Sequence, residues 1–169
     1  MSLYKDQKAA KPKPENVAGE FLDGDKLKNL LDFLVFLKEN KMTPRWQSYN
    51  SWKVTYKNKS MCYVNLNERD KVWMIRLSQF TRDGWFTNYD NYFTDEELKK
   101  FILDNINPPP CVERGCNGRQ NMTIFGKHFD KVCNCWPLRF INLEGTELEF
   151  SKKLILTVKS FISDLESAS

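Results

Sequence analysis

Histidine, glycine and long apolar runs are scarce in this chain of 169 residues, and each scarcity excludes a class of protein. The single histidine, His128, excludes catalysis at a metal held by several imidazoles. Seven glycines and seven prolines are too few for a collagen or a low-complexity chain. No apolar run approaches the roughly 18 residues of a membrane-spanning helix, and residues 1–20 lack the apolar stretch of a secretory signal. We therefore expect a cytoplasmic protein that has no membrane partner.

Sequence motifs of the common enzyme classes are also absent. The chain has no G-x-S-x-G nucleophile motif, no P-loop and no G-x-G-x-x-G dinucleotide fingerprint. Nucleophilic catalysis would need a cysteine with a lowered pKa beside His128, and a lone histidine is more often structural than catalytic. We expect a protein that is not an enzyme, and the Cys/His pair remains an open alternative.

The basic residues are concentrated in the middle of the chain. Lys and Arg total 26 against 22 for Asp and Glu, a net charge of +4. Between Arg45 and Arg82 there are eight basic and two acidic residues, whereas the segment from Glu144 onward has three basic and five acidic ones. Such a distribution favours an anionic ligand or partner, but dedicated nucleic-acid domains show a stronger excess. Nucleic acid is therefore not the expected partner, and weak nucleic-acid binding stays an alternative.

Apolar periodicity and capping motifs predict three helices. Leucines recur at three- and four-residue spacing between Lys26 and Asn40, which is typical of a helix with one buried stripe. Thr94 and Thr146 each begin a capping box, in which the threonine accepts from the amide three residues later. The helices that follow are expected to end near residues 105 and 165. Residues 1–20 have no such periodicity, and Pro12 and Pro14 oppose a helix, so we expect a disordered tail followed by a single domain over 21–169.

Alternation of apolar and polar side chains predicts antiparallel strands. It is clear in Ser51–Lys57, Met61–Leu66 and Lys71–Gln79, and two further strands are expected at 123–132 and 138–142. A three-residue loop, Asn58-Lys59-Ser60, would put every apolar partner of the first two strands on one face, pairing Tyr56 with Cys62. The expected fold is α+β, with an antiparallel sheet of about five strands, helices packed on one face and the order α-βββ-α-ββ-α.

Four of the five cysteines lie within 25 residues, spaced C-x4-C-x16-C-x-C. Four thiolates can close a tetrahedral structural zinc site, and zinc is the one cofactor that the sequence suggests. The spacing lacks the paired C-x2-C knuckles of familiar zinc ribbons, and reduced thiols that serve as small apolar residues are the competing interpretation. The odd total weakens a framework made only of disulfides. The candidate ligands are Cys111, Cys116, Cys133 and Cys135.

The polar face of the predicted sheet is the candidate ligand site. Lysine and arginine beside tyrosine can hold a flat anionic ligand by charge, cation–π and stacking interactions, and an aromatic loop could lie beside them. An ordinary solvated sheet face, with loop aromatics packed on the core edge, is the alternative. The expected function is therefore non-enzymatic binding of a small aromatic or anionic ligand, or of a protein partner, with a zinc-stapled interaction domain as the competing hypothesis. The candidate residues are Lys53, Lys57, Tyr63 and Arg76 on the face and Trp85, Phe86, Tyr89 and Tyr92 in the loop.

A resemblance to a known group of domains adds to these expectations. The leading apolar helix, Trp46 and the segment WKVTYKNKSMCYV resemble small YdhG/YjbR-type bacterial domains, as does the closing pattern TIFGKHFDKVC…LRF…E…KKLI. Some of those domains are described as frataxin-like or as ligand-binding partners of regulator domains, and the resemblance implies an α+β fold over residues 26–165. It carries over no functional residue. The first helix here is rich in lysine and leucine and lacks an acidic ridge, so iron chaperoning is not implied.

Overall fold

The computed structural model describes residues 3–77, 90–106, 119–133 and 138–167. The helices are α1 (Leu3–Ala10), α2 (Pro14–Phe21), α3 (Gly24–Glu39), α4 (Glu96–Asp104) and α5 (Gly145–Ser167). The strands are β1 (Thr43–Ser48), β2 (Ser51–Tyr56), β3 (Lys59–Asn67), β4 (Val72–Leu77), β5 (Arg119–Ile124), β6 (Lys127–Cys133) and β7 (Leu138–Ile141). A short 3-10 turn covers Asp90–Tyr92. Within these ranges no helix is both long and apolar enough to cross a membrane.

The fold is α+β, as the sequence predicts. Five strands form an antiparallel sheet in the order β1-β2-β3-β4-β7, and β5 pairs with β6 in a separate hairpin. The strands differ from the expected element order at two points. Strand β1 lies in a segment where the sequence analysis predicts no strand, and the single strand expected at 123–132 is instead divided by the turn at Phe125-Gly126.

The chain divides into two compact units, and the first comprises Met1–Ile75 and Ile141–Lys152. In this unit the Phe33 ring of α3 packs on the Trp73 ring of β4, with the ring centroids 5.9 Å apart. Both side chains are fully buried. The predicted leucine stripe of α3 is largely confirmed, because Leu30, Leu34 and Leu37 are buried. Leu31, which was expected in that stripe, is exposed.

The N-terminal segment differs from the expected disordered tail, because it forms α1 and α2 within the first unit. Pro14 lies in the first turn of α2, where a missing N–H costs no hydrogen bond. The side-chain amide of Gln7 binds the β1–β2 turn through two hydrogen bonds. Its Nε2 donates to Asn50 Oδ1 at 2.7 Å, and its Oε1 accepts from the backbone N–H of Asn50 at 3.0 Å. The indole of Trp52 donates to the Pro12 carbonyl at 2.6 Å. Prolines here separate two short helices, and side chains of the sheet hold the segment in place.

The predicted register of the β2–β3 hairpin is wrong by two residues as far as Val54 and by three residues beyond it. Trp52 pairs with Val64 and Val54 with Cys62, and the turn is the two-residue Lys57-Asn58, in which both residues have positive φ. The register shifts after Val54, where β3 carries one extra residue. Because a shift of two residues preserves the facing of side chains, the partners of Trp52 and Val54 still lie on the expected apolar face, whereas Tyr56 pairs with Lys59 beyond the bulge.

The second unit comprises Arg76–Phe140 and Lys153–Ser169. Its aromatic contacts include Phe101 of α4 stacked on Phe140 of β7, with centroids 4.9 Å apart. The inward face of α4 consists of Leu98, Phe101 and Ile102, which are buried. The buried side chains of α5 in this unit are Leu154, Ile155, Val158, Phe161 and Ile162, whereas Leu165 is exposed.

The N-cap of α4 is Asp95, one residue after the threonine that the sequence analysis predicts. Its carboxylate accepts from the amides of Glu97 at 2.9 Å and Leu98 at 3.1 Å, and it also accepts from the Lys153 ammonium. Lys153 and the two amides lower the pKa of Asp95. A charged carboxylate caps better than a hydroxyl here, because it also meets an ammonium group and the positive end of the helix dipole.

The half-buried Asp95 cap predicts a pH dependence of stability. Since the pKa of Asp95 is lowered on folding, its stabilising effect is present above the unfolded pKa and is lost as the pH falls through the folded one. Asp95→Asn keeps the hydrogen-bond acceptor and removes the charge. We expect the free energy of unfolding of the wild type to fall toward that of the variant as the pH is lowered from about 5 to about 2 in urea titrations. Parallel curves over that range would show that the charge of Asp95 does not stabilise the fold.

Candidate functional site

Arg45, Lys53 and Tyr63 form one row across three neighbouring strands. In the register of the sheet, Arg45 of β1 lies directly opposite Lys53 of β2, and Lys53 lies directly opposite Tyr63 of β3. Side chains in directly opposed positions point to the same face with their Cβ atoms about 5 Å apart. The structure therefore brings two of the predicted ligand residues together and adds an arginine to them.

This basic row lies on the face of the sheet that the N-terminal segment does not cover. Neighbouring side chains along a strand alternate between faces, and Trp46 and Trp52, which oppose each other across β1 and β2, donate to Gln7 and Pro12 of that segment. Arg45 is exposed, while Lys53 and Tyr63 are half-buried. The row is thus open to a ligand on the polar face of the sheet.

The surroundings of the basic row favour an anion. Residues 40–67 contain five basic residues and no Asp or Glu. In the described part of the chain no carboxylate pairs with Arg45 or Lys53. Thr43 and Thr55 oppose each other two residues along the strands, on the same face. The Cα atoms of these threonines lie about 7 Å along the strands from those of Arg45 and Lys53, within the span of one small ligand.

The other predicted ligand residues do not join this row. Lys57 is exposed in the β2–β3 turn, four residues or about 13 Å of extended strand from Lys53, and its Nζ lies 5.8 Å from the centroid of the Tyr56 ring. Arg76 and Tyr92 belong to the second unit, where the Tyr92 ring meets the Phe161 ring edge to face at 5.3 Å.

Three members of the predicted aromatic loop, Trp85, Phe86 and Tyr89, lie outside the described residues. Their suggested role as a wall or lid stays a prediction. On the sheet itself, Met61 and Asn65 were expected on the open face and are buried instead. The polar face is therefore narrower than the sequence suggests, and it is centred on the basic row.

The structure tests the predicted zinc site only in small part. Cys111, Cys116 and Cys135 lie outside the described residues, and Cys133 ends β6. Among the described residues no group of three or more His, Cys, Asp or Glu side chains is arranged to hold a metal. The four-cysteine site stays a prediction.

Cys62 and His128 lie in environments of opposite kind. Cys62 is fully buried in β3, and burial raises the pKa of its thiol, whereas a nucleophilic cysteine needs a lowered one. His128 is exposed on β6, with its Nε2 3.1 Å from Asp130 Oδ1. The Cys62 thiol is therefore poorly suited to the Cys/His alternative.

We expect Cys62 to escape alkylation in the folded protein. Its rate of modification by iodoacetamide at pH 8 should be at least about a hundredfold lower in the native state than in urea, because the thiolate is disfavoured and the sulfur is covered. Mass spectrometry of the Cys62 peptide after timed labelling measures both rates. Equal rates would show that the β3 environment is open to solvent.

Arg45 is the one member of the row that the sequence analysis did not select. The sequence analysis predicts no strand over residues 43–48, so it assigned none of the β1 side chains to a face of the sheet. Proline near the start of an edge strand is compatible with pairing, and Trp46 directly opposite Trp52 is the signal that could have revealed the strand.

Comparisons with known proteins supply no information about the function of the basic row. No protein family, no curated protein and no solved structure matches this chain. The resemblance to YdhG/YjbR-type domains accordingly stays a prediction, and the row on the polar face of the sheet is the basis for a functional proposal.

Proposed function

We propose that this protein is a non-enzymatic binding domain whose basic row holds a small aromatic anion. The observation that carries the proposal is the direct juxtaposition of Arg45, Lys53 and Tyr63 on adjacent strands. We place the protein in the cytoplasm as part of this proposal, since its odd number of cysteines suits a reducing compartment.

The two cations supply the anion recognition. A guanidinium donates two parallel hydrogen bonds to a phosphate or carboxylate, and an ammonium adds a third contact. Hydrogen bonds to charged groups contribute about 1.5–3 kcal/mol each, before the cost of immobilising a small ligand. Because Arg45 and Lys53 are not neutralised by a carboxylate of the described chain, a dianion such as a phosphate ester suits the row better than a monoanion.

Tyr63 supplies a surface for an aromatic ring next to these charges. Stacking of a planar ring on a tyrosine contributes about 1–3 kcal/mol when the ring is a nucleobase. Thr43 and Thr55 add hydroxyl groups to the same face. We therefore expect a dissociation constant on the order of 0.1–1 mM for a ligand that combines one phosphate with one aromatic ring.

Adenosine 5′-monophosphate and adenosine form a matched pair of probes, since they differ only in the phosphate. We expect the nucleotide to shift the backbone amide resonances of Arg45, Lys53 and Tyr63 saturably in two-dimensional NMR spectra at low salt. Adenosine should bind at least about tenfold more weakly, because it lacks the charge.

Two variants of equal charge locate the site. Lys53→Gln should weaken nucleotide binding about tenfold, whereas Lys59→Gln, at the far end of the same hairpin, should leave it unchanged. Tyr63→Leu should reduce the preference for the nucleotide over inorganic phosphate. Equal effects of Lys53→Gln and Lys59→Gln would mean that only the general positive charge attracts the ligand, and the proposal would fail. Tighter binding of single-stranded oligonucleotides than of the mononucleotide, with log K falling against log salt concentration with a slope near −0.7 per phosphate contact, would favour a nucleic-acid binder instead.

A further inference from the structure

The second unit contains an open cavity of about 450 Å³ between α4 and the β5–β6 turn. Its helical wall is one face of α4, which presents Lys99, Lys100 and Leu103, and its other wall is the turn with Phe125 and Lys127. This volume lies within the range of small-molecule sites, which is about 300–1,000 Å³. None of these residues was a candidate in the sequence analysis.

The charges around the cavity leave one cation without a carboxylate. On α4, Lys99 pairs with Glu96 at 2.7 Å and Lys100 pairs with Asp104 at 2.5 Å, so the helix neutralises its own lysines. Lys127 has no such partner within the described chain, and its Nζ lies 5.2 Å from the centroid of the Phe129 ring. A ligand with a single negative charge would balance the positive charge of Lys127 in the cavity lining.

Phe125 provides an aromatic wall at the mouth of the cavity. Its φ of +48° is in the left-handed region, as is that of Gly126 at +74°, which is the backbone of a two-residue type I′ turn. Asparagine or glycine usually fills the first position of this turn, because a bulky side chain is disfavoured in the left-handed region. Contacts with the Phe93 ring at 5.2 Å and the Lys99 ammonium at 5.9 Å hold the Phe125 ring beside α4. An aromatic side chain is thus kept at a position where the backbone disfavours it.

From these features we infer that the cavity is a binding site for a small carboxylate with an aromatic or apolar body. The carboxylate meets the Lys127 ammonium, and the body lies against Phe125 and Leu103. This site is separate in residues and in charge from the basic row, which offers two cations and suits a dianion.

Phenylacetate and its neutral analogue phenylacetamide test the cavity site in the full chain. We expect phenylacetate to shift the amide resonances of Lys99, Phe125 and Lys127 saturably with a dissociation constant of about 1 mM, and phenylacetamide to bind at least about fivefold more weakly. Shifts that stay linear up to about 10 mM, or equal affinities for the two compounds, would overturn the proposal.

Two substitutions separate binding from folding. Phe125→Asn creates Asn-Gly, the preferred pair for a type I′ turn, so the hairpin should persist while the aromatic wall is lost and saturable binding disappears. Lys127→Gln should weaken phenylacetate binding about fivefold and leave adenosine monophosphate binding unchanged. Lys53→Gln should do the reverse. Unchanged phenylacetate affinity in both Phe125→Asn and Lys127→Gln would refute the site, and the nucleotide titration reports on the basic row independently.

Discussion

Deletion of residues 1–22 is expected to lower the free energy of unfolding by about 3–5 kcal/mol. The deletion exposes the apolar surface that Val17 and Leu22 cover, and each of these buried side chains contributes about 1.5–3 kcal/mol. It also removes the acceptor of the buried Trp52 indole, which costs about 1–3 kcal/mol. The gain in backbone entropy of the freed segment offsets part of the sum. Chemical denaturation of the full and shortened chains measures the difference.

A neighbouring pair of substitutions tests the same contact more finely. Gln7→Ala leaves the side chain of the buried Asn50 without its partner and should cost about 1–2 kcal/mol, whereas Lys8→Ala at the next, exposed position should change stability by less than about 0.5 kcal/mol. The tryptophan emission of the Gln7 variant should shift to the red if Trp46 and Trp52 become hydrated. Identical stabilities of the two variants would show that the segment is a tail after all.

Replacement of Trp73 by alanine is expected to destabilise the fold by about 3–5 kcal/mol. Trp73 is fully buried and meets the Phe33 ring. Its backbone amide donates to Asn142 Oδ1 and its carbonyl accepts from the Asn142 amide, each at 3.0 Å. The loss combines transfer of the ring to water with the cavity that α3 cannot close. Reversible unfolding followed by circular dichroism gives the value.

Phenylalanine at the two buried tryptophan positions provides the matched comparison. The indole nitrogen of Trp73 is buried without an acceptor among the described residues, whereas that of Trp52 donates to Pro12. Both changes remove similar volume, so Trp52→Phe should cost about 1–2 kcal/mol more than Trp73→Phe. A larger loss at Trp73 would contradict this expectation and show that its indole N–H donates a hydrogen bond.

The sequence predicted the parts of the fold that depend on local patterns. Period-2 alternation identified β2 and β4, and the leucine spacing identified α3 within two residues. Long-range contacts decided the rest. Gln7 and Pro12 order the N-terminal helices by hydrogen bonds to the sheet, and no periodicity in residues 1–20 could signal that.

The sequence also predicted only those features of the candidate site that depend on local patterns. The alternation in β2 and β3 correctly put Lys53 and Tyr63 on one face, and their direct opposition follows from the observed register. The position of Arg45 beside Lys53 depends on the pairing of β1 with β2, which the sequence did not predict. The cavity beside Phe125 depends on which face of α4 meets the β5–β6 turn, and that contact between distant segments leaves no local pattern.

The affinity of the Arg45→Gln, Lys53→Gln double variant for adenosine 5′-monophosphate tests the central claim most directly. Isothermal titration calorimetry at low salt compares it with the wild type and with Lys59→Gln. We expect the double variant to bind about a hundredfold more weakly, since both charged contacts are removed, and Lys59→Gln to match the wild type. Binding of the double variant within about twofold of the wild type would contradict the assignment of the basic row as the ligand site.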